Sequence, residues 1–395
     1  MLFQTLDDKN ECVGIYLDGS LHYDQIPRGL SRTWGYSSYL AGQDVEYASL
    51  YCGGKTLGEV CPEEYKQEWD IINNKLKAFM TSFAEAKVSL LDNCFYDLVP
   101  ERFLLEYCHL KDKICEHVFS CYEKPANYNF LLELTKLTQV IKYQSLNVDM
   151  SEMSSELGSL RARDFYKKMS SKKHCIDYDI YGTKTGRLTT TKNSFPILTF
   201  NRNYRKVLKP KNDWFVELDY NAAELRVFLA LLGLDQPEGD IHEHIGKELF
   251  KSKFTRAETK RKIFSWLYDP AAKNYALDRL FPKNKLLKKY YSDNCIRTPF
   301  SRVIESDKFH ALNYLIQSTT SDFFLSKLIQ LNKSIKGLDT FVAFCIHDSV
   351  ILDFKEKDKE KLKEIIKAFS SSKLGEFKVN VSAGKNFKEM KKLDL

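Results

Sequence analysis

Residues 214–234, WFVELDYNAAELRVFLALLGL, change their apolar period partway along. An apolar strand-like run ends at Asp219, and from Leu225 onward the apolar residues recur at helical spacing. Asp219 therefore stands at a strand terminus. A carboxylate in that position is held rigidly while still facing a cleft, as a ligand for a hard cation must be. Taken alone, Asp219 reads as readily as a turn residue capping the next helix.

Residues 340–354, TFVAFCIHDSVILDF, hold two apolar runs that meet at His347-Asp348-Ser349, which reads as a tight hairpin. A hairpin that presents Asp348 at its tip beside the end of another strand brings two carboxylates together, and like charges that close need a cation between them. Alone, this segment is an ordinary polar turn. In residues 254–269, FTRAETKRKIFSWLYD, Arg256, Lys260, Phe264 and Tyr268 recur every four residues and form one slanting stripe on a helix. At about 1.5 Å per residue the stripe is about 18 Å long, enough for a triphosphate at its basic end and a stacked base at its aromatic end. The competing reading is a solvated basic face beside a core stripe. Just before this helix, Asp240-Ile241-His242 adds an imidazole able to donate to a phosphate oxygen.

The surrounding composition suits such a site. The chain has 395 residues, 43% hydrophobic and 29% charged, which allows two or three domains with real cores. Its net charge of +7 is modest but uneven, with 13 Lys or Arg against four acids in residues 247–289. That segment wants an anion. No apolar run is long enough to cross a membrane, and the opening MLFQTLDDKNECVG is not a secretory leader, so a cytoplasmic protein is expected, in a host's cytoplasm if phage-encoded. The ten cysteines show no CxxC pair, so reduced thiols are expected. The densest group, Cys108, His109, Cys115, His117 and Cys121, has the apolar period of a helix burying small thiols rather than holding a metal.

Residues 1 to about 120 mix a hairpin signal, VGIYLDGSLHYDQIP, with helical-period segments. Residues 125–175 read as two or three amphipathic helices with basic ends. After Asp177, β-like runs at WFVELDY, FVAFCIHDSVILDF and FKVNVSA alternate with long helices, the profile of a sheet carrying helices on one face.

In this order the pieces resemble the family A DNA polymerases, the DNA polymerase I-like group of bacteria, phages and mitochondria, here of the phage type. Residues 219–226 look like motif A. Arg256, Lys260, Phe264 and Tyr268 match motif B, and His347-Asp348 matches motif C. Thr185-Gly186-Arg187-Leu188-Thr189 matches the TGRL segment, Asn313 and Gln317 match the helix before motif C, and residues 377–393 look like the terminal palm strand. The resemblance covers about residues 125–395.

It implies an α+β right-hand architecture: a thumb at 123–180, an antiparallel-sheet palm at 181–235 and 300–395, and helical fingers at 236–299. Residues 1–122 would form a mixed α/β N-terminal region. It also implies a DNA-directed DNA polymerase that extends a primer on a DNA template with dNTPs, using two Mg²⁺ ions for which Mn²⁺ can substitute, with replication proteins such as a helicase or processivity factor as further partners; the alternatives are a single-subunit RNA polymerase, against which Glu224 and Phe264 argue, and a catalytically silent primer-template-binding protein. Asp219, Asp348 and the Tyr220 carbonyl would hold the metals. Arg256, Lys260 and His242 would meet the triphosphate, with Lys260 as proton donor to pyrophosphate. Phe264 and Tyr268 would flank the base, and Glu224 would exclude a ribose hydroxyl. Arg187, Asn313, Gln317 and His347 would track the primer and template.

The chain departs from the family at Ser265 and Asp269, where glycines are usual, and at Ser349, where motif C usually has a glutamate. The interval from Tyr268 to Gln317 is also short. In the N-terminal region Asn93-Cys94-Phe95-Tyr96-Asp97 is similar to the second motif of a proofreading exonuclease, and Asp44-Val45-Glu46 to its DxE. Too few residues separate Asp97 from Arg187 to hold the rest of an exonuclease plus a thumb, so no proofreading is expected.

Overall fold

In a computed structural model, which describes residues 1–169, 174–269 and 272–393, the chain divides into two units, 1–139 and 140–395. The first opens with a three-stranded antiparallel sheet of β1 (Gln4–Thr5), β2 (Gly14–Leu17) and β3 (Ser20–Tyr23). The expected hairpin joins β2 to β3 through Asp18-Gly19, both at positive φ, which is the turn that matches strand twist. Two long helices follow, α1 (Lys66–Glu85) and α2 (Glu101–Cys121). Trp69 and Ile72 of α1 share a core with Phe103, Leu104, Ile114, Cys115 and Val118 of α2. Cys108 and Cys115, two turns apart, are both buried, while Cys121 at the helix end is exposed.

One expectation about the cysteines is overturned. Cys12 and Cys94 form a disulfide across 82 residues of sequence. The loop after β1 lies beside the turn at 94–95 because Asp7 Oδ2 accepts the Phe95 N–H at 2.8 Å, and the two Cα atoms stand 5.5 Å apart, within bridging range. Sequence spacing could not reveal this proximity.

The helix α3 (Tyr128–Tyr143) carries the chain into the second unit, where α4 (Leu160–Met169) follows; the basic tail of that segment, 170–173, lies outside the described residues. The centre of this unit is β4 (Trp214–Tyr220), which runs into α5 (Ala223–Leu232). Then come α6 (Ile241–Glu248), α7 (Arg256–Tyr268) and the long α8 (Ala311–Ser334). The hairpin β5 (Phe341–Ile346) and β6 (Ser349–Phe354), the helix α9 (Leu362–Ser370), and the strands β7 (Val379–Gly384) and β8 (Lys391–Lys392) complete it.

The five strands form one sheet in the order β5-β6-β4-β7-β8, antiparallel at every pairing. Alternation along β4 sends Tyr220 to the helix side, where its ring stacks on Phe369 of α9 at 4.5 Å and meets Phe323 of α8 at 5.2 Å. Asp219 faces the other way. Most residues of α8 are buried on all sides, as expected for a helix through the middle of a core. Among the described residues, no helix is long and apolar enough to cross a membrane.

Candidate active site

The change of period at 214–234 is a real junction. β4 ends at Tyr220 and α5 starts at Ala223, with Ala222 between them in the left-handed region at φ 52°. That turn leaves Asp219 at the strand end, opposite Ser349 on β6 and Asn380 on β7. His347 and Asp348 are the two-residue turn between β5 and β6, closed by the Ile346–Ser349 pair, with His347 at φ 53°. Since β6 lies beside β4, the register carries Asp348 to the end where Asp219 stands.

The helix α7 starts at Arg256 because Thr255 and Glu258 form a reciprocal capping box. Its stripe of Arg256, Lys260 and Phe264 faces a cavity of about 510 Å³ whose floor includes Asp219, Tyr220 and Asp348. Arg187, Glu224, His242 and His347 line the same space. Ten of the thirteen residues singled out by sequence thus come together. Tyr268 lies one turn beyond Phe264, and its hydroxyl donates to Glu224, whose other oxygen accepts from Arg187. Asn313 and Gln317 are on α8 and do not line the cavity.

The electrostatics divide the cavity into two sides. Burial raises the Asp219 carboxyl to about 6, opposed by a 3.3 Å hydrogen bond from Asn380 and reinforced by the nearby Asp348. Two carboxylates brought this close are suited to a hard dication between them, and the Tyr220 carbonyl at the same strand end offers a further oxygen. No third His, Cys, Asp or Glu joins them in a metal-holding group among the described residues. Opposite stand Arg256 and Lys260. Arg256 is held by Asp240, whereas Lys260 has no acidic partner among the described residues and lies 5.6 Å from the Phe264 ring centroid. His242 is 1% exposed, and burial pushes it down to about 4, so at neutral pH it offers one neutral N–H rather than a cation.

Sequence reasoning missed Asn380 and gave no role to Asp240 or Asn221. Asn380 becomes visible only through strand pairing across 161 residues. Asp240 could have been found, because Asp240 followed by Glu243 is a helix-start signal.

The residues compared with an exonuclease lie in the first unit. Glu46 is paired with Arg32 and Lys124, and with Asp44 it lines a cavity that does not include Asp97.

No protein-family model matches the chain, and no curated protein sequence does. The fold is nevertheless a known one, that of a DNA polymerase domain. The polymerase domain of Pol1 from M. smegmatis, solved with DNA primer-template and dNTP, has a similar structure at a TM-score of 0.63. The likeness covers 98% of this chain and 95% of that one at 12% sequence identity, so it establishes a shared fold.

Proposed function

We propose that the chain is a template-directed DNA polymerase that adds dNTPs to a primer 3′-hydroxyl. One observation carries this reading: a carboxylate at a strand end, Asp219, and one on the neighbouring turn, Asp348, face the stripe of Arg256, Lys260 and Phe264 across a single cavity. The fold it shares with a polymerase domain supports the same conclusion.

In this reading residues 123–180 act as thumb, 181–235 and 300–395 as palm, and 236–299 as fingers. Asp219, Asp348 and the Tyr220 carbonyl would hold two Mg²⁺ ions, or Mn²⁺ in their place. When bound, the ions lower the pKa of the attacking hydroxyl and neutralise charge on the leaving pyrophosphate. The chain's own groups do the rest. Arg256 and Lys260 bind the triphosphate oxygens, and Lys260, which makes no ion pair among the described residues, protonates pyrophosphate as it leaves. His242 donates its one N–H to a phosphate oxygen. Phe264 and Tyr268 take the base by stacking. Glu224, with one oxygen engaged by Tyr268 and the other by Arg187, is held in place and is a poor acceptor for a ribose 2′-hydroxyl. This closure argues for deoxyribonucleotides over the single-subunit RNA polymerase alternative. Arg187, Asn313, Gln317 and His347 follow the primer-template through contacts every base pair offers. A helicase or processivity factor would be a further partner. Residues 1–122 are proposed to lack proofreading, being a degenerate exonuclease remnant or a DNA-binding platform.

Primer extension with dNTPs and rNTPs, on wild type and Asp348→Ala, tests the reading. Extension by wild type that prefers dNTPs and is lost in the variant is expected. Equal background extension by both proteins would overturn the assignment, and preferred rNTP incorporation would move it to an RNA polymerase.

A further inference from the structure

Asp240 makes more contacts than a helix cap needs. As N-cap of α6, its Oδ1 accepts the backbone N–H groups of His242 and Glu243 at 3.0 and 3.1 Å. Its Oδ2 accepts Arg256 Nε at 3.0 Å, Arg256 Nη2 at 2.7 Å and Asn221 Nδ2 at 2.9 Å. Capping requires only the first oxygen. The second joins a cavity-lining cation to a residue two positions after Asp219.

The loop that holds Asp240 is itself fixed. Arg226, 0% exposed, donates to the carbonyls of Asn221, Pro237 and Gly239 at 2.8, 2.9 and 2.7 Å. Stability alone is a poor explanation for the pair with Arg256. That side chain is 49% exposed, and exposed ion pairs contribute only about 0–1 kcal/mol. Moreover, the carboxylate engages Arg256 along its Nε–Nη2 edge and leaves Nη1 unengaged among the described residues, where Lys260 one turn away makes no ion pair. A fork held on one edge is preorganised to give its other N–H groups to a phosphate.

We propose that Asp240 is a positioning residue for the reaction above: it fixes Arg256 for the triphosphate and, through Asn221, ties that cation to the strand end bearing Asp219. The assignment rests on the polymerase reading. It concerns phosphate binding rather than bond making, so its effect belongs in the KM for dNTP.

Asp240→Asn and Asp240→Ser both keep a good N-cap while weakening the hold on Arg256. Each is expected to raise KM for dNTP about tenfold with kcat changed less than about twofold, and to weaken equilibrium binding of inorganic tripolyphosphate by DNA-free protein to the same degree. In an Arg256→Ala background neither substitution should add a further loss, and Asp240→Glu should recover part of the affinity. A fall in kcat at unchanged KM, or an undiminished loss in the Arg256→Ala background, would overturn the proposal. If wild type extends no primer yet tripolyphosphate binding shows the coupling, the polymerase reading fails while the positioning of Arg256 stands.

Discussion

Asp219 carries its charge where the surroundings resist it. The folded carboxyl titrates at about 6 because of burial, above the ordinary value of about 4. The folded state therefore holds this proton more tightly than the unfolded chain does. The stability that results is full below about pH 4 and is lost as pH rises through about 6. Above that, ionised Asp219 costs the metal-free protein free energy. Asp219→Asn should stabilise the metal-free protein at pH 8 by about 1–2 kcal/mol, allowing for partial exposure, and leave it unchanged at pH 4. Urea melts in EDTA at both pH values check this, and an equal shift at both would contradict it. A second residue-scale expectation concerns Tyr268, whose hydroxyl occupies one oxygen of Glu224. Tyr268→Phe frees that oxygen to accept a ribose hydroxyl. Single-turnover incorporation should show the rNTP-to-dNTP ratio rising about tenfold, the scale of one hydrogen bond to a charged group.

At the scale of elements, α8 fastens the turn that presents Arg187. Ser321 donates to the Gly186 carbonyl at 2.8 Å, and Arg302 packs over Gly186 while binding Asp322 through two N–H groups at 2.9 and 2.7 Å. Asp322 is fully buried, so removing one partner leaves an uncompensated charge in the core. Arg302→Ala should cost about 3–5 kcal/mol by denaturant unfolding, whereas a loss below about 1 kcal/mol would mean the pair is not sequestered. These ties also explain what the sequence concealed. The strand end at Asp219, the turn at His347-Asp348 and the stripe on α7 are local patterns, each complete within about twenty residues, and their periods announce them. Asn380 against Asp219, Ser321 against Gly186 and Cys12 against Cys94 depend on pairings between distant segments. No local period encodes those. The thiols misled for a second reason: a spacing rule tests for motifs, and a disulfide between two loops has none.

Over the whole molecule, the surplus of positive charge lies mostly in and around α7 rather than being spread evenly. Binding to primer-template should accordingly depend steeply on salt, with affinity falling about a thousandfold between 50 and 200 mM if about six phosphates are neutralised. Fluorescence anisotropy over that range measures the slope, and a flat response would exclude a phosphate-tracking surface. The two units have separate cores, and the residues with assigned roles all belong to the second. Within it, Ala222 at φ 52°, in the turn that follows the strand of Asp219, and His347 at φ 53°, beside Asp348, adopt a backbone conformation that glycine reaches without penalty and other residues reach at about 1 kcal/mol or more. A lineage under pressure only to survive heat would drift toward glycine at both positions. Heat-selected variants that acquire either glycine should be screened for lost activity before they are adopted as improved proteins.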